Sequence, residues 1–232
     1  MPNAEGSLRD PTDCYLCGAL LSDERPATRS HVIPRRWFGT PPPANLPTLP
    51  ACFECNNRLS AREERLRNAL VRMFSHDPTA HRDVFDRAAR APHRAPREIG
   101  AGYNETPGGL LAPATVIALP GGEDVEQVFR GITRGLFYKL LGRLMPQDVS
   151  IRSVLLQKDD ADRLSEKTIT LTGAVFTFDN QFSFVPVIHA QNPHDTVWLY
   201  LVFNAGVVAS FSGEAAQLQF APARLAVAHP HR

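Results

Sequence analysis

"RSHVIPRRWF" (Arg29–Phe38) lies between two cysteine pairs, Cys14/Cys17 and Cys52/Cys55. One histidine follows a serine and precedes two β-branched residues and a proline. A basic and aromatic cluster comes next. Whether His31 is a mounted chemical group or a packing residue decides how the whole N-terminal region is read.

The cysteines set the frame. All four fall in the two CxxC pairs. A reducing cytosol disfavours a disulfide framework. A redox CxxC needs only one pair, usually at a strand–helix junction. Two knuckles separated by a loop read instead as a closed tetrahedral site, since four thiolates at ~2.3 Å suit Zn²⁺. Such a metal would hold a short, loop-rich segment with too little apolar surface to fold alone.

Working outward, "GTPPPANLPTLP" (Gly39–Pro50) cannot be helix and favours an extended path. "CNNRLSAREERLRNALVRMF" (Cys55–Phe74) then turns helical. Ser60 with Glu63 reads as a capping box, which starts the helix near Ala61. Leu66, Ala69, Leu70, Met73 and Phe74 recur at helical spacing, and His76-Asp77-Pro78 ends the run. A shorter basic helix is expected over Ala80–Ala91. "APHRAPREIGAGYNETPGG" (Ala91–Gly109) has linker composition.

The second half differs. "VEQVFRGITRGLFYKLLGRLM" (Val125–Met145) is an amphipathic helix with Val128, Phe129, Ile132, Leu136, Phe137, Leu140 and Leu144 on its apolar side. Gly131 and Gly135, four apart, allow close packing. Four β-rich runs follow, beginning at Gly173, Phe182, Thr196 and Gly206, with a hairpin turn over Asn204–Gly206. The expected fold class is α+β. A zinc-anchored module with an Arg-rich helix covers 1–90, a linker region 91–124, and a helix-plus-antiparallel-sheet domain 125–232. No catalytic motif stands out in that last part, where His189 and His194 read as strand-end or loop histidines.

Composition adds limits. The 232-residue chain has a formal net charge of +1 and 43% hydrophobic residues, ordinary for a globular protein. No apolar run approaches the ~18 residues of a membrane span. The polar N-terminus lacks a signal-peptide core, so a cytoplasmic protein is expected.

Residues 14–74 resemble the His-Asn-His (HNH) endonucleases in their zinc-knuckle, treble-clef form. The resemblance is carried by "CYLC", "SHVIP", "NLPTLPACFECNN" and the acidic helix start "SAREE". It implies a β-hairpin and helix clasping a catalytic metal beside the structural zinc, the ββα-metal motif. By resemblance His31 is the general base, Asn45 orients it, and Asn56 binds the catalytic metal, with Asn57 as fallback. The chemistry agrees. Phosphodiester hydrolysis needs a base matched to neutral pH and a cation to offset growing charge, here Mg²⁺ or Mn²⁺ on oxygen ligands.

Ser30 departs from the family pattern, which has Asp or Glu before the histidine. Serine is a poor Mg²⁺ ligand, so the metal is held weakly, or another acid fills in, with Asp23, Glu24 and Glu63 as candidates. The remaining alternative is a catalytically silent zinc module that binds nucleic acid or a protein.

Local charge points to a nucleic-acid partner, with DNA as first choice. Arg35 and Arg36 follow the motif. From Arg58 to Arg97 there are ten arginines and no lysine against five acids, a local +5. Arg58, Arg62 and Arg65 join the expected phosphate-binding set through the planar guanidinium fork, unless they pair with neighbouring carboxylates. A third reading is a defence or toxin effector gated by the C-terminal domain, which would also carry any protein or self-association contact.

Overall fold

The computed structural model describes residues 11–74, 84, 86, 99–105, 111–117, 122–156, 161, 164, 174–203 and 206–217. The class is α+β. A hairpin of β1 (Ala27–His31) and β2 (Thr48–Cys52) leads into α1 (Phe53–Phe74). A second hairpin, β3 (Ile99–Glu105) with β4 (Leu111–Ile117), precedes α2 (Gly122–Leu141). Five strands complete the chain: β5 (Ile151–Leu155), β6 (Phe176–Phe178), β7 (Phe182–Ile188), β8 (Thr196–Val202) and β9 (Gly206–Ser212). They form one antiparallel sheet in the order β5-β9-β8-β7-β6.

α1 begins at Phe53, well before the Ala61 that the capping box suggested. β2 ends at Cys52, and the chain turns directly into helix. Cys55 therefore falls in the first turn, and Ser60 and Glu63 sit mid-helix, where their side chains are free for other uses. The expected basic helix over Ala80–Ala91 lies outside the described residues, save Val84 and Asp86, which are helical. The region expected to be linker, 91–124, carries the β3–β4 hairpin and the start of α2. β5 was not anticipated at all. Among the described residues no helix is long and apolar enough to cross a membrane.

Strand alternation divides the five-stranded sheet cleanly. On β8, Trp198, Tyr200 and Val202 face the main core, while Leu199 and Val197 belong to a smaller cluster with Ala209, Phe211 and Leu156. Small hydroxyls tie the inner face together. Thr196 and Ser212 bond at 2.6 Å, Ser153 and Ser210 at 2.7 Å, and Trp198 Nε1 donates to Thr196 Oγ1. Pro186 is tolerated in β7 because β6 pairs only with Phe182–Phe184, so its missing N–H falls where no neighbour runs.

The 1–90 module and the later sheet share one core rather than two. Trp37, 1% exposed, lies 5.8 Å from Phe129 of α2 and 6.0–6.2 Å from Phe203 and Phe182 of the sheet region, ring centre to ring centre. Its indole N–H donates to the Glu63 carbonyl of α1 at 3.3 Å. Asp124, in the first turn of α2, receives Arg62 at 2.9 Å and Arg65 at 2.8 Å, and Glu123 receives Arg62 at 2.7 Å. Carboxylates there also complement the helix dipole.

The helix glycines do what their spacing suggested. A Cβ on Gly135 would meet Val32 Cγ1 at 2.5 Å, and one on Gly131 would meet Leu59 at 3.0 Å. α2 therefore lies hard against the residue that follows His31. Gly135→Ala should destabilise the protein by about 1–3 kcal/mol through overpacking. Adding Val32→Ala, which opens the space, should recover part of that loss. Urea denaturation of the single and double variants checks it. Simple additivity of the two changes would mean that the contact is not shared.

Candidate metal centre and the adjoining cavity

The first knuckle is a tight hairpin. Cys14 N–H donates to Ala19 at 2.8 Å, and Gly18 N–H donates back to Cys14 at 2.7 Å. Gly18 has φ +70°, a left-handed conformation natural to glycine. The second knuckle spans the junction between β2 and α1, so Cys52 ends a strand and Cys55 enters the helix. Tyr15 N–H donates to the Pro50 carbonyl and joins the two knuckles.

The sulfurs of Cys14, Cys17, Cys52 and Cys55 all lie within 4.8 Å of one another. A tetrahedral shell with ~2.3 Å metal–sulfur bonds requires separations of about 3.8 Å, so the cluster could hold a metal ion, and the all-thiolate donor set suits Zn²⁺. Left to themselves the thiols do not ionise together. Burial pushes Cys14 up, and burial with the neighbouring sulfurs pushes Cys55 up strongly. Burial also opposes ionisation of Cys52, but the Cys55 N–H and thiol hydrogen bonds outweigh it and lower its pKa.

Beside the cluster opens a cavity of about 340 Å³. β1 contributes Arg29, Ser30 and His31, the turn after it Arg35 and Arg36, and α1 Phe53, Asn56, Asn57, Ser60 and Glu63. His31 is half-buried. Burial and the charges of Arg35 and Arg29 lower its pKa from the ordinary 6.5. The imidazole is accordingly neutral at physiological pH and able to accept a proton.

Ser30 is 3% exposed, and its hydroxyl lies 3.3 Å from the buried Tyr15 hydroxyl. That bond engages the oxygen expected as a weak metal ligand. The acid in the cavity is Glu63. Burial raises its pKa from 4.5 to about 8, against the opposing charge of Arg36. Asp23 and Glu24, the other candidate acids, are exposed and do not line the cavity. Asn45 is also exposed and outside the lining.

The arginines separate into three groups. Arg35 and Arg36 are exposed at the cavity. Arg62 and Arg65 pair with Asp124, the carboxylate pairing that the sequence left open for them. The Asp124 carboxylate satisfies them because α2 starts directly opposite that face of α1. Arg58 lines a different groove, with Cys17, Cys55, Arg130 and Arg134. His189 takes a hydrogen bond from Asn192 N–H in an exposed loop. His194 stacks on Phe137 at 5.9 Å. Neither lines the cavity. Sequence reading missed Tyr15 and Phe53 here. Alternation along β1 indicated a buried partner for Ser30, and the place of Phe53 inside the CxxC was visible.

Two outcomes test this arrangement. Cys52→Ser should lose bound zinc, measured by metal analysis, and leave residues 11–60 protease-sensitive, because the binding energy of a closed shell is folding energy. Glu63 favours its proton more in the folded state than in the unfolded. Its contribution is full below pH 4.5 and is lost as pH rises through about 8. Without divalent cation, Glu63→Gln should therefore raise the melting temperature at pH 9 relative to wild type and change it little at pH 4. Equal shifts at both pH values would disprove the buried-acid assignment.

No family model, curated protein or solved structure matches this chain, so the reading of the cavity stands on its geometry.

Proposed function

We propose that residues 11–74 form a zinc-anchored ββα module of HNH type, and that it hydrolyses phosphodiester bonds of nucleic acid, DNA foremost, with a divalent cation. One observation carries the reading: a neutral histidine, an asparagine and the carboxyl group of Glu63 converge on a single cavity beside the four-cysteine cluster. The module takes the treble-clef form, with zinc in a structural role and nucleic acid as its partner.

The donors fit Mg²⁺ or Mn²⁺. Glu63 offers a hard anionic oxygen and Asn56 an amide oxygen, leaving room for waters and phosphate. A cation bound there would offset charge on the phosphate and stabilise the ionised form of Glu63. His31 takes the proton of the attacking water, and its lowered pKa keeps it in the accepting form. Arg35 and Arg36 hold the flanking phosphates and bring the strand to the cavity. Ser30, whose hydroxyl is engaged with Tyr15, would help hold the cavity wall rather than serve as a cation ligand. Glu63 thus takes the role that the family gives to the residue before the histidine.

The rival reading, a silent zinc module, draws on the neutral residue at position 30. It requires binding without cleavage. Purified protein should nick plasmid with Mg²⁺ or Mn²⁺ and not with the cation withheld. His31→Ala should lower the rate by roughly 10²–10⁴ with zinc content unchanged. Glu63→Gln should raise the cation concentration needed for half-maximal cleavage. Ser30→Asp should harm rather than help, because it buries a second carboxylate close to Glu63. Wild-type protein inert with every divalent cation would rule out the nuclease.

A further inference from the structure

One residue of the cavity wall is used neither for holding a cation nor for moving a proton. Phe53 is 63% exposed, yet it lines the cavity with His31 and Asn57. It stands between Cys52 and Cys55 as the first residue of α1, so the sulfur cluster fixes its backbone from both sides. In the same module Trp37, Phe38, Val32 and Ile33 are all buried. An exposed phenyl ring forgoes the stabilisation of burial that they obtain. Its surroundings are cationic and polar. Arg35 and Arg36 form no ion pair among the described residues.

A flat apolar face beside guanidinium groups that form no ion pair among the described residues matches a nucleobase carried on a phosphate backbone. The cations suit the phosphates, and the ring suits the face of a base. An intact duplex does not meet this demand. Its base faces are covered by their neighbours in the stack, so the ring reaches only an unpaired or extruded nucleotide.

We propose that Phe53 stacks on an unpaired base of a strand seated in the cavity, making the site selective for single-stranded or locally unpaired DNA over intact duplex. The fate of the strand rests on the nuclease reading; the stacking contact precedes any chemistry. Phe53 is a specificity determinant and takes no part in the reaction itself.

The test uses the full-length, zinc-loaded protein carrying His31→Ala, so that oligonucleotides stay intact. Fluorescence anisotropy compares a short labelled single strand with a blunt duplex of the same sequence, and a fluorescent adenine analogue in the single strand reports stacking. The single strand should bind more tightly than the duplex and the analogue should be quenched. Phe53→Ala should weaken single-strand binding on the order of tenfold, leave the duplex unchanged and remove the quenching. Phe53→Trp should retain all three. Zinc content and melting temperature establish that each variant is folded. Equal loss on both substrates, no loss, or no single-strand binding would overturn the proposal. The two readings also fail separately. If protein with His31 intact is inert with every cation while Phe53-dependent binding persists, the nuclease falls and the stacking site stands. If Phe53→Ala cuts single strand and duplex as the wild type does, the stacking site falls and the nuclease stands.

Discussion

Four cysteine sulfurs within 4.8 Å of one another can all be thiolates only if a cation shares their charge. Burial and mutual proximity raise two of the thiols, which makes an all-anionic cluster untenable alone. The cluster gathers the first knuckle, the end of β2 and the start of α1 at one corner, where the hairpin meets the helix. A cation seated there would hold that corner. The cavity opens beside it. His31 on β1 and Glu63 on α1 both line it.

The opposite side of the hairpin and helix is settled by ordinary packing. Trp37 fills the gap between α1, α2 and the five-stranded sheet, and its one polar atom finds the Glu63 carbonyl. The backbone of Glu63 is therefore held by the core while its side chain meets the cavity. A carboxyl group with its pKa pushed up to about 8 is costly to keep ionised, and perturbation of this kind is common where chemistry is done.

Much of the cavity was readable from residue order. The cysteine spacing predicted the cluster, and His31 between the knuckles predicted a group mounted beside it. Helical arithmetic could have gone further. Asn56, Ser60 and Glu63 follow i, i+4, i+7, one stripe along α1, and all three line the cavity. Arg58, Arg62 and Arg65 follow the same rule two residues on, about 200° round the helix at 3.6 residues per turn. They point to the other side, where α2 lies. The counted +5 of that region thus overstated the cations available to a partner, because charge counting does not see which face a residue occupies. The start of α1 was misplaced because Ser60 and Glu63 satisfy a capping pattern that the knuckle pre-empts. β3 and β4 were hidden by glycine and proline, and β5 by its brevity, although Ile151, Ser153 and Leu155 alternate inward as a strand should. What no spacing rule reports is the partner of an apolar face. The patterns of α1 and α2 each show such a face, but not that the two faces share one core.

That shared core makes the module non-portable. Gly135 is small because Val32 needs the room, and Asp124 sits at a helix start because two arginines of α1 end there. Cut free near residue 90, the knuckles, hairpin and α1 would lose the walls around Trp37 and leave Arg62 and Arg65 without their carboxylate. A chimera that borrows this cavity must bring α2 and the sheet with it. Any diversification of the C-terminal half is correspondingly confined to the far face of the sheet, the side of Leu199 and Phe211, where side chains can change without reaching His31.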